Sequence, residues 1–184
     1  MSNIVIVGSG PAGVSAALYA VRAGVQTTVL TKGSGALARA ETIENYYGFA
    51  QPVSGPELER RSIENARRLG VQFVQTEAVG LTWTDRLTVE TLAGAYPADA
   101  VILATGTFLK GKIFVGEYSE ESGPDGMHPA AHLSDSLRSL GITLRRFKTG
   151  TPARVHGNSV DFTRLEEQHA GRGLLRHRSR HPAK

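Results

Sequence analysis

The chain of 184 residues contains no cysteine. That excludes structural disulfides, thiolate metal sites and a dithiol redox pair, and it is compatible with a reducing compartment. Long apolar runs are also missing. No stretch reaches the roughly 18 uninterrupted apolar residues that a membrane helix needs, so no membrane role is expected and the cytoplasm is the expected location. The amino-terminal run Ile4-Val5-Ile6-Val7 has no basic segment before it and is cut by Gly8, which marks a buried strand and not a signal peptide. A basic folded surface is lacking too, although the formal charge is +4. Residues 171–184 carry Arg172, Arg176, Arg178, Arg180 and Lys184 and no acid, contributing +5 and leaving about −1 for residues 1–170. The high isoelectric point therefore belongs to the tail, which is expected to be disordered.

What is present begins with a core. At 40% hydrophobic, the chain is long enough for one domain with a buried interior. Asn3 to Gly8 reads as a buried parallel strand and Pro11 to Ala23 as a helix with Pro11 in its first turn and Gly24 just past its end. Gln26 to Leu30 is a second strand. Ser54-Gly55-Pro56-Glu57 spells a capping box opening a helix that stops at Gly70. Val71 to Thr76 gives a third strand, and Val79 to Tyr96 a set of short antiparallel strands turning at Asp85-Arg86 and Ala93-Gly94. Ala98 to Ala104 is another buried strand. Beyond Gly106, Pro129 to Leu140 has helical periodicity, Ile142 to Phe147 alternates like a strand, and Val155 to Phe162 suits a strand pair.

Gly8-Ser9-Gly10-Pro11-Ala12-Gly13 is a G-x-G-x-x-G pattern set between a strand and a helix. Its first glycine permits a tight turn, its second lets a pyrophosphate approach the backbone, and its third lets helix and strand pack closely. The helix amino terminus adds unpaired N–H groups and partial positive charge. An acid normally closes the second strand of such a unit and holds a ribose hydroxyl. Here Thr31 stands there, a hydroxyl that bonds a ribose more weakly than a carboxylate does.

Residues 3–104 resemble the FAD domain of the thioredoxin-reductase-like flavoproteins. The matching stretches are the glycine loop, Ala16-Ala17-Leu18-Tyr19-Ala20, Ile43-Glu44-Asn45-Tyr46-Tyr47-Gly48-Phe49, Ser54-Gly55-Pro56-Glu57-Leu58 and Val101-Ile102-Leu103-Ala104-Thr105-Gly106. Residues 99–169 resemble a second family, the glucose-inhibited division protein A or tRNA uridine 5-carboxymethylaminomethyl modification enzymes. That likeness rests on Ala104-Thr105-Gly106-Thr107-Phe108-Leu109-Lys110-Gly111-Lys112, Lys148-Thr149-Gly150-Thr151-Pro152-Ala153-Arg154, Ser159-Val160-Asp161-Phe162 and Gln168-His169. It implies FAD, NADH or NADPH as reductant, methylene-tetrahydrofolate, a tRNA wobble uridine as substrate and a GTPase partner. Residues 32–60 depart from that family, which carries a cysteine-containing glycine-rich stretch there. The thioredoxin-reductase likeness lacks its dithiol and its NADPH domain.

These readings set the expectations. The fold class is α/β: a Rossmann-like three-layer FAD-binding domain with a small antiparallel β-meander, followed by an incomplete α+β segment. The divisions are 1–107 for the first part of the FAD domain, 108–170 for the segment like the tRNA-modifying flavoprotein, and 171–184 for the tail. The cofactor residues are Gly8, Gly10, Pro11, Ala12, Gly13 and Thr31, with Thr105 and Gly106 lining the cofactor. The family likeness adds Lys148, Thr149 and Arg154; from the residues alone these suit a solvated turn. Tyr46, Tyr47 and Phe49 are candidates to cover a flavin ring, or loop packing. His128, His132 and His169 have no ligand spacing, so no metal site is expected. The functional alternatives are a thioredoxin-reductase-like NAD(P)H:FAD oxidoreductase without a dithiol, and a truncated or recombined fragment inactive alone. A homodimer is compatible with either family.

Overall fold

The computed structural model describes residues 2–107, 109–123, 133–148, 150 and 155–164. The chain divides into two compact units, Met1–Arg145 and Arg146–Lys184. Among the described residues, no helix is long and apolar enough to cross a membrane.

The first unit is organised by one strand, β1 (Asn3–Val7). It pairs in parallel with β2 (Gln26–Thr31) on one side and β7 (Ala100–Leu103) on the other, and β2 pairs in parallel with β3 (Gln72–Gln75). The sheet order is β3-β2-β1-β7. A strand sends alternate side chains to opposite faces, and β1 is apolar on both. Ile6 packs with Val14, Ala17, Val29, Ala66 and Val71. Val5 and Val7 pack with Leu30, Leu81, Val89, Ala98, Leu133 and Leu137. The continuous run Ile4-Val5-Ile6-Val7 is therefore the signature of a strand covered on both sides.

The Ile6 face is covered by α1 (Pro11–Arg22) and α2 (Gly55–Arg68). The Val5 face is covered by an antiparallel meander, β4 (Ala78–Trp83), β5 (Leu87–Thr91) and β6 (Gly94–Ala98), together with α3 (Leu133–Ser139). Three layers result, as the sequence suggests. Ser136 ties α3 to the meander: its Oγ accepts from the Leu81 N–H (2.6 Å) and donates to the Leu81 carbonyl (2.8 Å). Polar contacts clamp the other end of the sheet. The Asn3 N–H donates to Asp99 Oδ2 (2.8 Å), and Arg86 donates to both Asn3 Oδ1 and Asp99 Oδ1 (2.7 and 2.9 Å). The Asn3 amide and then the Arg86 guanidinium hold the Asp99 carboxyl below its ordinary range.

Three local expectations need correction. The capping box is half formed: Ser54 Oγ accepts from the Glu57 N–H (3.4 Å), but the Glu57 carboxylate turns to Arg60 and Arg61 instead of reaching back. Residues 142–147 form no strand. The Gly141 and Ile142 N–H groups close α3 on the carbonyls of Arg138 and Leu137, and Leu144 packs into the Val5 core without a strand to pair with. In the second unit, Gly157–Ser159 and Phe162–Arg164 are 3₁₀ turns and not a strand pair. Ser159 Oγ donates to the His156 carbonyl (2.7 Å), and Asp161 Oδ1 accepts from the Thr163 N–H (3.1 Å) and Oγ1 (2.6 Å). Such short-range side-chain bonds compete with a ladder. An antiparallel hairpin, β8 (Ile113–Val115) with β9 (Tyr118–Glu120), completes the described strands of the first unit. The first four residues of the expected 129–140 helix, the three histidines singled out above and the basic tail lie outside the described residues.

Candidate cofactor site

The carboxyl ends of β1, β2 and β7 meet at the glycine loop. The Gly8 N–H donates to the Leu30 carbonyl (2.8 Å), and the Ala104 N–H donates to the Val7 carbonyl (2.8 Å). Gly8 has φ +112°, and a Cβ there would overlap the Ala104 carbonyl oxygen. Gly13 lies on the first turns of α1, where a Cβ would overlap the Gly8 carbonyl oxygen. These two glycines answer demands made by the protein itself. Gly10 does not: its φ is −68°, within reach of any residue, and a Cβ on it would meet nothing within 4 Å. The space it leaves opens onto the amino terminus of α1, where Gly10 is the cap residue without a side-chain bond, followed by exposed Pro11 and Ala12.

Thr31 ends β2 beside this loop. Its Oγ1 shares a 2.6 Å hydrogen bond with the Oγ of buried Ser9, donates to the Gly33 carbonyl (3.1 Å) and accepts from the Gly33 N–H (3.2 Å). A hydroxyl has one proton, so a Thr31 donating to Gly33 receives its hydrogen bond from Ser9. The threonine hydroxyl thus fastens the loop to the end of β2, and a ribose hydroxyl reaching it competes with Gly33. Lys32, next in the chain, is paired with Glu77 (2.9 Å). Thr105 is half-buried and Gly106 exposed just past β7, Gly106 with φ +77°.

A cavity of about 260 Å³ adjoins the loop. Ser9, Gly10 and Pro11 form one wall. Leu37, Tyr46 and Phe49 come from the segment between β2 and α2, and Leu58, Arg61, Ser62 and Asn65 from one face of α2. The Gly55 N–H donates to the Ala40 carbonyl (2.7 Å), which holds α2 against that segment. Tyr46 and Phe49 meet edge to face, 5.8 Å between centroids. Tyr47 is 98% exposed and is not among the residues lining this cavity. FAD exceeds a cavity of this size, so it fits only with part of the molecule along the open ends of the strands.

The structure therefore brings together Gly8, Gly10, Pro11, Ala12, Gly13, Thr31, Thr105 and Gly106 at one edge of the parallel sheet. Lys148 is exposed in the second unit, and Thr149 and Arg154 lie outside the described residues. Sequence reasoning passed over Ser9 and the α2 face. The spacing of Leu58, Arg61, Ser62 and Asn65, i, i+3, i+4 and i+7, was the available signal: a mostly polar stripe on the same side as a core leucine.

A Rossmann-type parallel sheet, with the three glycines in these environments, defines a dinucleotide-binding unit, and the comparisons place it among FAD-binding flavoproteins. In agreement, the family model described as FAD binding domain matches residues 1–46. Glucose inhibited division protein A matches residues 57–176, and the chain belongs to that family. It is 36% identical over 212 residues to the tRNA uridine 5-carboxymethylaminomethyl modification enzyme MnmG of Alkaliphilus metalliredigens, an alignment covering 90% of this chain and 33% of the relative. Against the MnmG of Caldicellulosiruptor saccharolyticus it is 56% identical over 78 residues, covering 42% of this chain and 12% of the relative. The chain spans about a third of the length of the first of these relatives. That alignment is longer than the chain itself, so the relative carries stretches with no counterpart here.

Solved structures give the other likeness. The atypical thioredoxin reductase TRi of Desulfovibrio vulgaris Hildenborough superposes with a TM-score of 0.55 at 38% identity, covering 58% of this chain and 36% of that one. The thioredoxin reductase of Gloeobacter violaceus gives 0.56 at 34% identity, covering 61% and 36%. Both resemblances drawn from the sequence are thus present.

Proposed function

We propose that this chain binds FAD at the edge formed by β1, β2 and β7, and that it is the FAD-binding portion of a tRNA-modifying flavoenzyme. The observation that carries the reading is Gly10. Gly8 and Gly13 are required by the fold, whereas among the described residues no neighbour requires Gly10 to lack a side chain. A pyrophosphate lying against the backbone supplies the missing reason. In this reading Gly8, Gly10, Pro11, Ala12 and Gly13 cradle the diphosphate, Thr31 stands at the ribose, and Thr105 and Gly106 line the cofactor. Bound FAD supplies electron transfer, and the protein positions and tunes it. Residues 1–107 hold this site, 108–170 continue the tRNA-enzyme portion and 171–184 form the tail, with Lys148, Thr149 and Arg154 as family-derived additions to the site. The family likeness further supports NADH or NADPH as electron donor, tRNA as substrate and a GTPase as partner.

The test is the visible absorption of the purified chain before and after addition of FAD and gel filtration. Flavin absorbance retained by the native chain and lost in Gly10→Val is the expected result; a native chain that retains no flavin refutes it. The thioredoxin-reductase likeness favours a second reading, an NAD(P)H oxidoreductase acting on a small substrate. NAD(P)H oxidation by the flavin-loaded chain that proceeds without tRNA and is indifferent to it selects that reading over the first.

A further inference from the structure

Among the described residues, the cavity beside the glycine loop has one cationic side chain on its wall, that of Arg61. Its placement is fixed from two directions. Nε donates to Glu57 Oε1 (2.6 Å), and the guanidinium carbon lies 6.0 Å from the centroid of the Phe49 ring, which also lines the cavity. Glu57 is itself placed by the Ser54 cap at the first turn of α2. With Nε engaged, the two Nη groups remain, and they make no hydrogen bond among the described residues. The other charged residue of the wall, Glu59, accepts from Ser34 Oγ (2.9 Å).

An arginine held by its Nε while its Nη groups stay unpaired is arranged to donate to an anion with two oxygens in reach. Across the same cavity stand Gly10 and Pro11 at the amino terminus of α1, with that helix's unpaired N–H groups. Two donors of opposite origin, a helix end and a guanidinium, thus border one space. The guanidinium comes from α2 and shares this cavity with Tyr46 and Phe49, whereas Thr31 at the end of β2 is not among the lining residues. An anion held there would lie between Arg61 and the amino terminus of α1, apart from the ribose position at Thr31.

We propose that Arg61 clamps the diphosphate of the bound dinucleotide from the α2 side, and so selects a diphosphate-bridged ligand over a nucleoside monophosphate. The proposal rests on the FAD reading above. Glu57 acts as the positioning residue, since its carboxylate sets the direction of the guanidinium.

The experiment is equilibrium titration of the full chain with FAD and with AMP, at several salt concentrations, for the native protein, Arg61→Met, Arg61→Lys and Glu57→Gln. Arg61→Met is expected to weaken FAD by roughly tenfold to a hundredfold, the range for a charge-assisted bond, with a shallower salt dependence. AMP should change little. Arg61→Lys, which keeps the charge and loses the fork, should fall between, and Glu57→Gln should weaken FAD while leaving AMP alone. Arg61→Met binding FAD as tightly as the native chain overturns the clamp while the FAD site stands. Equal losses of FAD and AMP, with a lowered melting temperature, reduce Arg61 to a structural role. A native chain that binds AMP and FAD equally overturns the clamp while the FAD site stands; one that binds neither overturns the FAD reading as well.

Discussion

At Gly10 the protein and its ligand make opposite demands on the same small volume. The residue caps α1 with extended backbone and no side-chain bond to the helix. Serine is a better cap than glycine by a few tenths of a kcal/mol, and a Cβ there meets no neighbour. Gly10→Ser is therefore expected to leave the melting temperature unchanged or slightly raised while weakening FAD retention. Gly8→Ala reverses the pattern: its φ of +112° and the Ala104 carbonyl both oppose a side chain, and the folded state should lose on the order of 1–3 kcal/mol. Urea unfolding and flavin titration on the two variants separate the roles. If Gly10→Ser bound flavin normally, the ligand explanation for that glycine would be lost. The sequence displayed these glycines but not the distinction between them. Their roles differ in which atoms stand within reach of an absent Cβ: for Gly8 the carbonyl of Ala104, just past β7 and remote in sequence, and for Gly13 the carbonyl of Gly8.

Helix α2 shows the same limit one level up. Its start at Gly55 and its stop before Gly70 were legible because caps are local: Ser54, Pro56 and the positive φ of Gly70 each act within a turn. The two-sided strands were legible because burial on both faces leaves an unbroken apolar run. The destination of the Glu57 carboxylate was not, since a capping box and an i,i+3/i,i+4 pairing to Arg60 and Arg61 use the same residue at the same spacing. The pairing prevails. It holds the Glu57 pKa at about 2, through hydrogen bonds from Arg60 first and Arg61 second. A carboxylate lowered on folding stabilises the folded state fully above its ordinary pKa, about 4.5, and that contribution disappears as pH falls toward the folded value. The native chain should lose stability between about pH 4.5 and pH 2 by an increment that Glu57→Gln lacks; because the group is at the surface, salt should shrink the difference. Denaturant midpoints of the two proteins across that range measure it, and parallel curves would show that the pairing does not persist in solution. Ser54→Ala should cost on the order of 1 kcal/mol at every pH, because the cap carries no titrating group.

For the molecule as a whole, the parallel sheet and the cofactor edge belong to one unit, Met1–Arg145, and every described member of the loop and cavity lies within it. The three-layer plan was legible because alternating helical and strand periods leave few ways to cover a parallel sheet. The far segment was harder to read. Apolar alternation at residues 142–147 predicts a strand only where another strand offers its edge, and here a helix cap and one half-buried leucine decide the path. Because FAD would bridge the ends of β1, β2 and β7, it would stabilise contacts between elements that are distant in sequence. A ligand that binds only the folded state adds about 2.7 kcal/mol at a hundredfold excess over its Kd, which for a domain of this size raises the melting temperature by on the order of 10 °C. The shift should grow with the logarithm of FAD concentration and be absent in Gly10→Val. Thermal scans followed by far-ultraviolet circular dichroism, which reports the helices and sheet of the first unit, provide the measurement. A melting temperature indifferent to FAD would mean that the paired strand ends and the glycine loop, though formed, do not suffice to hold the cofactor without the further length that the relatives possess.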